Sequence, residues 1–257
     1  MFSPLDQRED DPKIAALIDK AHAARWSPTE VIDWNRPIAL PPNLPAGVYV
    51  DMVSQLYYSE QASIEVLGRL ICSLPEFQAR MYLSTQAADE ARHAQGYRMY
   101  LHKLGDIAPI DPSLRSLFER ALAYEGPAFG LVVAMNLVME HEALAQQRKR
   151  IETLPCPVFR DLNRAIIRDE ARHAAFGVLY LTTTLRSVSA EEKEEVLAWI
   201  QDLWHLWVAA NKGRYESEAA AVLRLGGEEL SSRWGSVTDQ LKKVGLLGEV
   251  HADPPPS

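Results

Sequence analysis

The run Asp-Glu-Ala-Arg-His-Ala occurs twice in this 257-residue sequence, at 89–94 and at 169–174. In each copy a glutamate and a histidine stand three residues apart, which places both side chains on one face of a helix. A further glutamate stands 30 residues before each pair. Carboxylate and imidazole groups are ligands of first-row divalent metals, so the pattern indicates a metal site. The six candidate ligands are Glu60, Glu90, His93, Glu140, Glu170 and His173.

The two runs belong to a longer internal repeat. When 57–101 is laid over 137–181 without gaps, thirteen of 45 positions are identical. A single Glu-x-x-His pair usually marks a solvated helix face. For two such pairs, the alternative to a metal site is an old duplication that keeps exposed salt bridges. That explanation leaves unexplained why Glu60 and Glu140 recur within otherwise divergent stretches. The repeat therefore favours two helical hairpins that pack as a bundle with pseudo-twofold symmetry.

The spacing about two prolines brings the candidate ligands to one level. Glu60 and Glu90 lie 15 residues on either side of Pro75, and the second copy has the same spacing about Pro155. In an antiparallel hairpin such residues stand at equal height, roughly 22 Å from the turn. Four buried carboxylates at one level repel each other and lose hydration unless two metal ions neutralise them. A Glu on each of two helices and a Glu-x-x-His pair on each of the other two form the ligand set of di-iron and di-manganese bundles.

The elements that hold these residues are predicted to be helices. The sixteen prolines are clustered, and the long segments between the clusters are poor in glycine and rich in good helix formers. Strand signals are nearly absent. We therefore predict an all-α fold, a four-helix bundle with a shorter connecting helix at Ser113–Tyr124. The four core helices are predicted at about 46–74, 75–104, 127–154 and 156–186.

The rest of the chain is predicted to be ancillary to this bundle, which spans 46–186. Residues 1–45 are rich in proline and are expected to form an irregular wrap. Residues 187–250 are expected to hold accessory helices of the same domain, one at 190–213 and one or two more within 215–246. The proline-rich tail, 251–257, is expected to be disordered.

Composition excludes several classes of function. The sequence has 27 Lys and Arg against 35 Asp and Glu, a formal net charge of −8, which argues against nucleic acid as the main partner. Two cysteines, Cys72 and Cys156, cannot build a disulfide framework or a cysteine metal cage. The N-terminus has no apolar signal core, and the longest apolar run, Ala128 to Met139, is too short to cross a bilayer. We therefore expect a cytoplasmic protein with no membrane span.

The doubled run with its upstream glutamates resembles the ferritin-like di-iron carboxylate superfamily. At the level of the motif it is similar to the hydroxylase subunits of bacterial multicomponent monooxygenases, the acyl-carrier-protein desaturases and the small subunit of ribonucleotide reductase. The resemblance covers about 46–186 and implies that the six candidate ligands bind two iron ions, or a manganese–iron pair, with O2 as co-substrate. It also implies a layer behind the ligands, in which Asp89 and Asp169 accept hydrogen bonds from histidine N–H groups and Arg92 and Arg172 join the same buried network.

Two further features bear on activity. Tyr97 lies four residues after His93, the relative position of the radical tyrosine in ribonucleotide reductase small subunits, although a core aromatic residue explains it equally well. The p-aminobenzoate N-oxygenases carry an additional histidine where this chain has Ile166, which disfavours that activity. Residues one turn from the ligands are candidates for a substrate pocket, with plain core packing as the alternative. They are Leu56, Leu137, Met139, Phe176 and Gly177.

Other acidic residues and histidines are not predicted to bind metal. Glu65 and Glu142 have alanine in the other copy of the repeat, so we expect them at the surface or behind the ligands. His141 corresponds to Gln61 and is not expected to be a ligand. The remaining candidates have no ligand pattern around them and are expected to be structural or exposed: His102, His205 and His251.

The predicted function is an O2-activating non-haem di-iron oxygenase or oxidase that acts on a small organic substrate by hydroxylation, desaturation, N-oxygenation or oxidative cleavage. The alternatives are a small-subunit-like oxidase that generates a radical at Tyr97, a non-catalytic iron-binding or ferroxidase protein, and a degenerate subunit of a monooxygenase complex. The sequence has no cysteine cluster and no flavin or nicotinamide motif. We therefore expect an external electron donor or reductase, or a substrate that supplies the electrons. A homodimer is expected by analogy only.

Overall fold

The computed structural model describes residues 10–42, 44–215 and 227–248, and within these residues the chain forms helices and loops without a strand. The helices are α1 (Pro12–Ala23), α2 (Pro28–Val31), α3 (Ala46–Ser73), α4 (Phe77–Leu104), α5 (Pro112–Leu122), α6 (Ala128–Val132), α7 (Glu140–Thr153), α8 (Pro157–Thr184), α9 (Ala190–Tyr215) and α10 (Gly227–Val244). A π-helical segment, Val133–Met139, joins α6 to α7. The predicted all-α fold is confirmed.

Two helical hairpins form the centre of the molecule. α3 packs against α4 across a turn that contains Pro75, and α7 packs against α8 across a turn that contains Pro155. The residue before each proline, Leu74 or Leu154, has an extended backbone with ψ of 136° or 133°. A residue that precedes proline disfavours the helical conformation, so each proline ends the first helix of its hairpin. The four core helices begin and end within two residues of their predicted bounds.

The third core helix is continuous from Ala128 to Thr153, through α6, the π-helical segment and α7. By length and composition alone this helix could cross a membrane, but 67% of its most apolar window is buried inside the protein. It also carries the buried carboxylate of Glu140 and packs against α8. These contacts are those of the core helix of a bundle.

The π-helical segment is a departure from the uniform α-helix predicted over 127–154. Asn136 of this segment passes very close to Gly177 of α8. A Cβ atom at Gly177 would lie 2.7 Å from the Asn136 Cβ and 2.9 Å from its carbonyl carbon. Segments with π geometry are frequent at functional sites, and this one ends directly before Glu140.

The N-terminal region is more regular than predicted. Of residues 1–45, expected to be irregular, the structure describes 10–42, 44 and 45, and these include α1 and the short α2. The Asp11 carboxylate accepts a hydrogen bond from the backbone N–H of Lys13, and Pro12 occupies the first turn of α1, where no hydrogen-bond donor is needed. Aspartate followed by proline is thus a helix start. The prediction of an irregular wrap was wrong for Pro12–Ala23 and Pro28–Val31, whereas the other described residues up to 45 form turns and loops. α1 packs on α4 and α8.

The helices that follow outside the four core helices pack on the bundle or on each other. α5 begins at an Asp111 cap that accepts hydrogen bonds from the backbone N–H groups of Ser113 and Leu114, and it packs on α9. α10 contacts α8 and the π-helical segment. Of the one or two helices predicted within 215–246, the structure describes α10. The predicted disordered tail, 251–257, lies outside the described residues.

Candidate metal centre

The four core helices bring the six candidate ligands into one cluster. None of the six exposes more than 7% of its surface. They form two overlapping groups, and in each group one ligand atom from every member lies within 4.8 Å of the others. The first group consists of Glu60, Glu90, His93 and Glu170, and the second consists of Glu90, Glu140, Glu170 and His173.

Glu90 and Glu170 belong to both groups. A carboxylate has two oxygens and can donate one to each of two metal ions, so these two glutamates stand where bridging ligands would stand. Glu60 with His93, and Glu140 with His173, complete one group each. The arrangement follows the pseudo-twofold symmetry of the repeat.

The histidine rings present their Nδ1 atoms to the carboxylates. His93 Nδ1 lies 3.2 Å from a Glu90 oxygen, 3.4 Å from a Glu170 oxygen and 3.6 Å from a Glu60 oxygen. His173 Nδ1 lies 3.0 Å from a Glu170 oxygen and 3.3 Å from a Glu90 oxygen. Nδ1 is therefore the nitrogen that faces each group.

The opposite nitrogen of each ring faces an aspartate from the other Glu-x-x-His helix. His93 Nε2 lies 3.1 Å from Asp169 Oδ2, and His173 Nε2 lies 3.1 Å from Asp89 Oδ2. With Nδ1 turned to the cluster, Nε2–H is the donor and the aspartate accepts. Burial opposes ionisation of Asp169, but the hydrogen bond and the charge of His93 lower the pKa of Asp169 well below its usual range. Each aspartate thus lies within hydrogen-bond distance of the histidine of the other run.

Two arginines close this network. Arg172 donates from Nη2 to Asp89 at 2.7 Å and lies 2.8 Å from Asp169 through Nη1. Arg92 makes the corresponding contacts, with Asp89 and, at 3.1 Å, with Asp169. Both arginines are nearly buried, at side-chain exposures of 10% and 12%. Burial opposes ionisation of both aspartates, but the hydrogen bonds and charges of the histidines lower their pKa values, and the charges of the arginines add to this effect.

Trp26 joins the same network and was not predicted. Its indole Nε1–H donates to Asp169 Oδ2 at 2.8 Å, and its ring stacks on His93 with centroids 6.2 Å apart. The Arg92 guanidinium lies 5.2 Å from the centroid of the Trp26 ring. Trp26 follows α1, outside the repeat, so no spacing or repeat partner could have identified it.

The electrostatics of the cluster test whether metal ions fit it. Burial raises the pKa of Glu60 and of Glu140 well above the usual value. Burial also opposes ionisation of Glu170, but the charges of His93 and His173 lower its pKa to about 2. Four buried carboxylates need compensating positive charge, which protons or cations can supply. Two divalent ions match the four carboxylate charges, and a set of carboxylate and imidazole donors suits iron and manganese.

A buried amide pair, Gln86 and Asn136, lies beside Glu140 and His173 of the second group. Gln86 Nε2 donates to Glu140 at 2.7 Å, while Asn136 Nδ2 donates to Gln86 Oε1 at 2.7 Å and to the His173 backbone carbonyl at 3.2 Å. The repeat counterpart of Gln86 is Ile166, which offers no such hydrogen bond. The two halves of the cluster therefore differ, although their candidate ligands match.

A cavity of about 290 Å³ opens onto the cluster. Four glutamates of the cluster form part of its wall: Glu60, Glu90, Glu140 and Glu170. Leu56 and Met139, two of the five predicted pocket residues, also line it. Apolar and polar groups from α3, α5, the π-helical segment, α7 and α9 form the rest of the wall, which gives it the mixed character of a small-molecule site.

The structure corrects the pocket prediction for the other three residues, which do not line this cavity. Leu137 is 2% exposed within the π-helical segment. Phe176 stacks on Tyr82 with ring centroids 4.2 Å apart. Gly177 is packed against Asn136. Sequence spacing shows that these residues are one turn from a ligand, but they face neighbouring helices rather than the cavity.

Tyr97 is fully buried, and its hydroxyl donates to Asn163 Oδ1 at 2.8 Å. Burial first, and then the nearby charges of Glu60 and Glu170, raise the pKa of Tyr97 well above the usual value. The tyrosine is therefore neutral and hydrogen-bonded to an amide rather than to a candidate ligand.

Among the described residues, the acidic residues and histidines that were not predicted to bind metal lie outside the cluster or behind it. Glu65 is exposed, whereas Glu142 is 2% exposed, lines the cavity and forms an ion pair with Arg233 of α10 at 2.6 Å. Glu142 is thus a buried residue rather than a surface one. His141 lies outside the cluster with its Nε2 3.4 Å from the Ser236 hydroxyl. Two other histidines are exposed, and the third lies outside the described residues: His102, His205 and His251.

No protein-family model matches the sequence, and no curated protein matches it. Solved structures do match the fold over most of its length. A Synechococcus protein with aldehyde deformylating oxidase activity is 18% identical, and the match covers 83% of this chain and 97% of that chain with a TM-score of 0.66.

Two further matches are an R2-like ligand-binding oxidase and a class I ribonucleotide reductase-like protein. A variant of an R2-like ligand-binding oxidase, reconstituted with a Mn/Fe cofactor, is 16% identical, with 95% of this chain and 96% of that chain covered and a TM-score of 0.71. A class I ribonucleotide reductase-like protein from Bacillus halodurans is 12% identical, with 91% and 93% covered and a TM-score of 0.69. At these identities the likeness concerns the fold. The chain is a ferritin-like helical bundle with a buried cluster of carboxylates and histidines at its centre.

Proposed function

We propose that the protein is an oxidoreductase that holds two metal ions, two irons or a manganese–iron pair, and uses O2 to oxidise a small organic molecule. One observation carries the proposal: two four-residue ligand groups share Glu90 and Glu170, and both open onto one cavity. The matched oxidases support it, since one of them has aldehyde deformylating oxidase activity and another carries a Mn/Fe cofactor.

In this proposal Glu60 and His93 hold one metal ion, and Glu140 and His173 hold the other. When bound, the metal pair supplies the electrons and the Lewis acidity for the reduction of O2. Glu90 and Glu170, which belong to both groups, would be ligands available to either ion.

The chain's own residues orient these ligands and control access to them. The aspartates behind the histidines fix each imidazole with Nδ1 toward the cluster, which keeps the donor lone pair aimed at the metal. The apolar part of the cavity, including Leu56 and Met139, excludes water and positions the substrate beside the glutamates.

The electrons for turnover come from outside the chain in this proposal. The sequence holds only two cysteines: Cys72 is exposed and Cys156 is buried, so neither belongs to a redox cluster. A separate reductase, or a substrate that is itself oxidised by the required number of electrons, is therefore implied.

The test is metal content followed by O2 uptake. Protein loaded anaerobically with ferrous ion is expected to hold two irons per chain by mass spectrometry of the metal, and to consume O2 when it is admitted. Glu90→Ala removes a ligand shared by both groups and is expected to lose both properties. Glu65→Ala, which changes an exposed glutamate of α3, is the matched control and is expected to keep them. Equal iron content in the parent protein and in Glu90→Ala would contradict the proposal.

The same experiment separates the substrate-oxidising function from its rivals. We favour it over radical generation because the hydroxyl of Tyr97 is engaged by Asn163. A radical signal by electron paramagnetic resonance that Tyr97→Phe removes would favour the small-subunit-like alternative instead. Accumulation of many irons per chain would favour iron storage.

A further inference from the structure

The two copies of the repeat differ along one buried helix face. In α3, Leu67 and Leu70 are fully buried. Their counterparts 80 residues later in α7 are Gln147 and Arg150, which are 2% and 8% exposed. Burial of an amide and of a guanidinium group is unfavourable unless each finds a partner. Since leucine fills the same positions in the other hairpin, packing alone does not explain these polar residues.

Both polar residues line the cavity that opens onto the candidate metal centre. Glu140, Ala143, Gln147 and Arg150 follow one another at helical spacing, so they form one stripe along α7. Arg150 stands ten residues, or about 15 Å, beyond Glu140 along the helix axis. Helical side chains lean toward the helix N-terminus, which brings the guanidinium back toward the cluster. The stripe therefore has a carboxylate at one end and a cation at the other.

The hydrogen-bonding capacity of this end of the cavity is only partly used. Arg150 Nη2 donates to Gln146 Oε1 at 2.6 Å, and among the described residues no carboxylate lies within ion-pair distance of Arg150. Gln147 Oε1 is buried without a hydrogen-bond partner among the described residues. Rotation of the Gln147 side-chain amide by about 180° exchanges its oxygen and its NH2 group, so that the NH2 group faces the same space.

The other charged groups around the cavity already have partners. Glu142 forms its ion pair with Arg233 at 2.6 Å. Asp51 accepts a hydrogen bond from Gln55 at 2.9 Å and has further interactions. The four glutamates of the cluster face His93 and His173 and the two proposed metal ions. Arg150 thus lines this wall without a carboxylate among the described residues to balance its charge.

We propose that the molecule bound in this cavity is a small organic carboxylate, with its carboxylate on Arg150 and Gln147 and its apolar part directed toward the four glutamates. A planar guanidinium binds a carboxylate through two parallel hydrogen bonds, which is the geometry that favours carboxylate over other anions. Leu56, Met135 and Met139 supply the apolar wall between the two ends. The volume of about 290 Å³ suits a molecule at the small end of the usual range.

This inference names the substrate class for the proposed oxidase and rests on that function for the chemistry, but its binding step can be measured alone. The probes are phenylbutyrate, the neutral phenylbutyramide and the cationic phenylbutylamine, titrated calorimetrically into the full-length protein. Each titration is run on metal-free protein and on protein loaded with Mn²⁺. We expect phenylbutyrate to bind about tenfold or more tightly than the amide, with no measurable binding of the amine.

The variants replace each polar residue by its counterpart in the other copy of the repeat. Arg150→Leu is expected to weaken phenylbutyrate binding about 10- to 100-fold and to leave the affinity for the amide nearly unchanged. Gln147→Leu is expected to have a smaller effect in the same direction, and Arg150→Lys is expected to restore part of the loss. Arg164→Gln, which changes a half-exposed arginine of α8, is the matched control and is expected to bind as the parent does. Thermal unfolding establishes that each variant is folded.

Two results would overturn the inference. One is unchanged phenylbutyrate affinity in a folded Arg150→Leu, particularly if binding then requires Mn²⁺, because the anion would be seated on the metals. The other is equal affinity for the carboxylate and the amide in the parent protein. Failure of the proposed oxidase function gives a different pattern, in which metal binding or O2 uptake is lost but metal-free protein still prefers phenylbutyrate through Arg150.

Discussion

The two histidines of the cluster are each held by an aspartate from the opposite helix. Asp89 and Asp169 directly precede Glu90 and Glu170 in the sequence, yet each accepts from the histidine of the other run. An acceptor at Nε2–H fixes the tautomer that leaves a lone pair on Nδ1 and makes that nitrogen more basic. Each half of the cluster therefore depends on both hairpins.

Asp169→Asn is expected to weaken metal binding about 10- to 100-fold. The amide keeps the shape of the carboxylate but loses the charge that holds His93 Nε2–H, and its NH2 group opposes the donors Trp26 and Arg92. Competition with a chromogenic chelator measures the affinity. Asp202→Asn, at an exposed ion pair with Arg120, is the matched control. Equal chelator curves for Asp169→Asn and the parent would contradict a supporting role for Asp169.

Metal uptake is expected to fall as the pH is lowered. Burial raises the pKa of Glu60 and Glu140, and the surrounding carboxylates raise the pKa of His93 and His173 although burial opposes this. These groups must lose protons before they can donate to a metal, so protons compete with the ions. Because their pKa values lie above the usual ones, the competition begins at a higher pH than for exposed Glu and His. The measurement is apparent affinity between about pH 6 and 8 together with proton release on metal addition. An affinity that is constant over this range would contradict the expectation.

At the scale of helices, the contact between the π-helical segment and α8 is tightly constrained. Position 177 faces Asn136 at a separation that leaves no room for a Cβ atom, whereas its repeat counterpart is the large Tyr97. The asymmetry is compensated at neighbouring positions: Phe176 stacks on Tyr82, and its counterpart Gly96 lies directly against Leu162. The two hairpins thus share their ligands but exchange large and small residues in their packing.

Gly177→Ala is expected to lower the free energy of unfolding by about 1–3 kcal/mol, because the added methyl meets the backbone of Asn136 and forces the helices apart. Gly68→Ala is the matched control, since the Cβ added to this exposed position of α3 has nothing within 4 Å. Helix propensity alone is expected to make that variant more stable by about 0.5–1 kcal/mol. Chemical denaturation measures both changes. A Gly177→Ala protein as stable as Gly68→Ala would show that the close contact is not a constraint.

At the scale of the whole molecule, the cluster gathers like charges from all four core helices, and these charges repel each other unless cations compensate them. α3, α4, α7 and α8 each contribute at least one carboxylate to it. Cations that bind these groups in the folded protein, and not in the unfolded chain, add their binding free energy to the stability. The N-terminal segment adds a further link, since Trp26 contacts both Asp169 and His93.

Metal loading is expected to raise the Tm. At a free metal concentration of about a hundred times Kd, the free energy of unfolding is expected to increase by about 2.7 kcal/mol. Differential scanning calorimetry of metal-free and loaded protein measures the effect. Glu90→Ala is expected to show little increase on loading, because a ligand of both groups is missing. Coincident unfolding curves for the parent protein with and without metal would contradict the proposed centre.

The helices and the level of the cluster could be predicted because they depend on local patterns. The prolines at 75 and 155 end helices by a clash within neighbouring residues, and equal spacing about each turn fixes equal height along the hairpin. The spacing of Glu90 and His93 fixes a common helix face. These rules need no knowledge of what packs against the helix.

The surroundings of the candidate ligands were decided only by the tertiary structure, because they depend on which helix faces meet. Leu137 and Leu56 are both one turn from a candidate ligand, yet only Leu56 faces the cavity. The indole of Trp26 reaches Asp169 across 143 positions of sequence, and the aspartates serve the histidines of the opposite runs. In the sequence, Arg150 and Gln147 belong to an ordinary polar stretch of α7, and only the structure shows that both line the cavity. The sequence by itself determined the local periodicity and hence the candidate ligands, whereas the contacts between helices, which local spacing does not encode, decided what surrounds them.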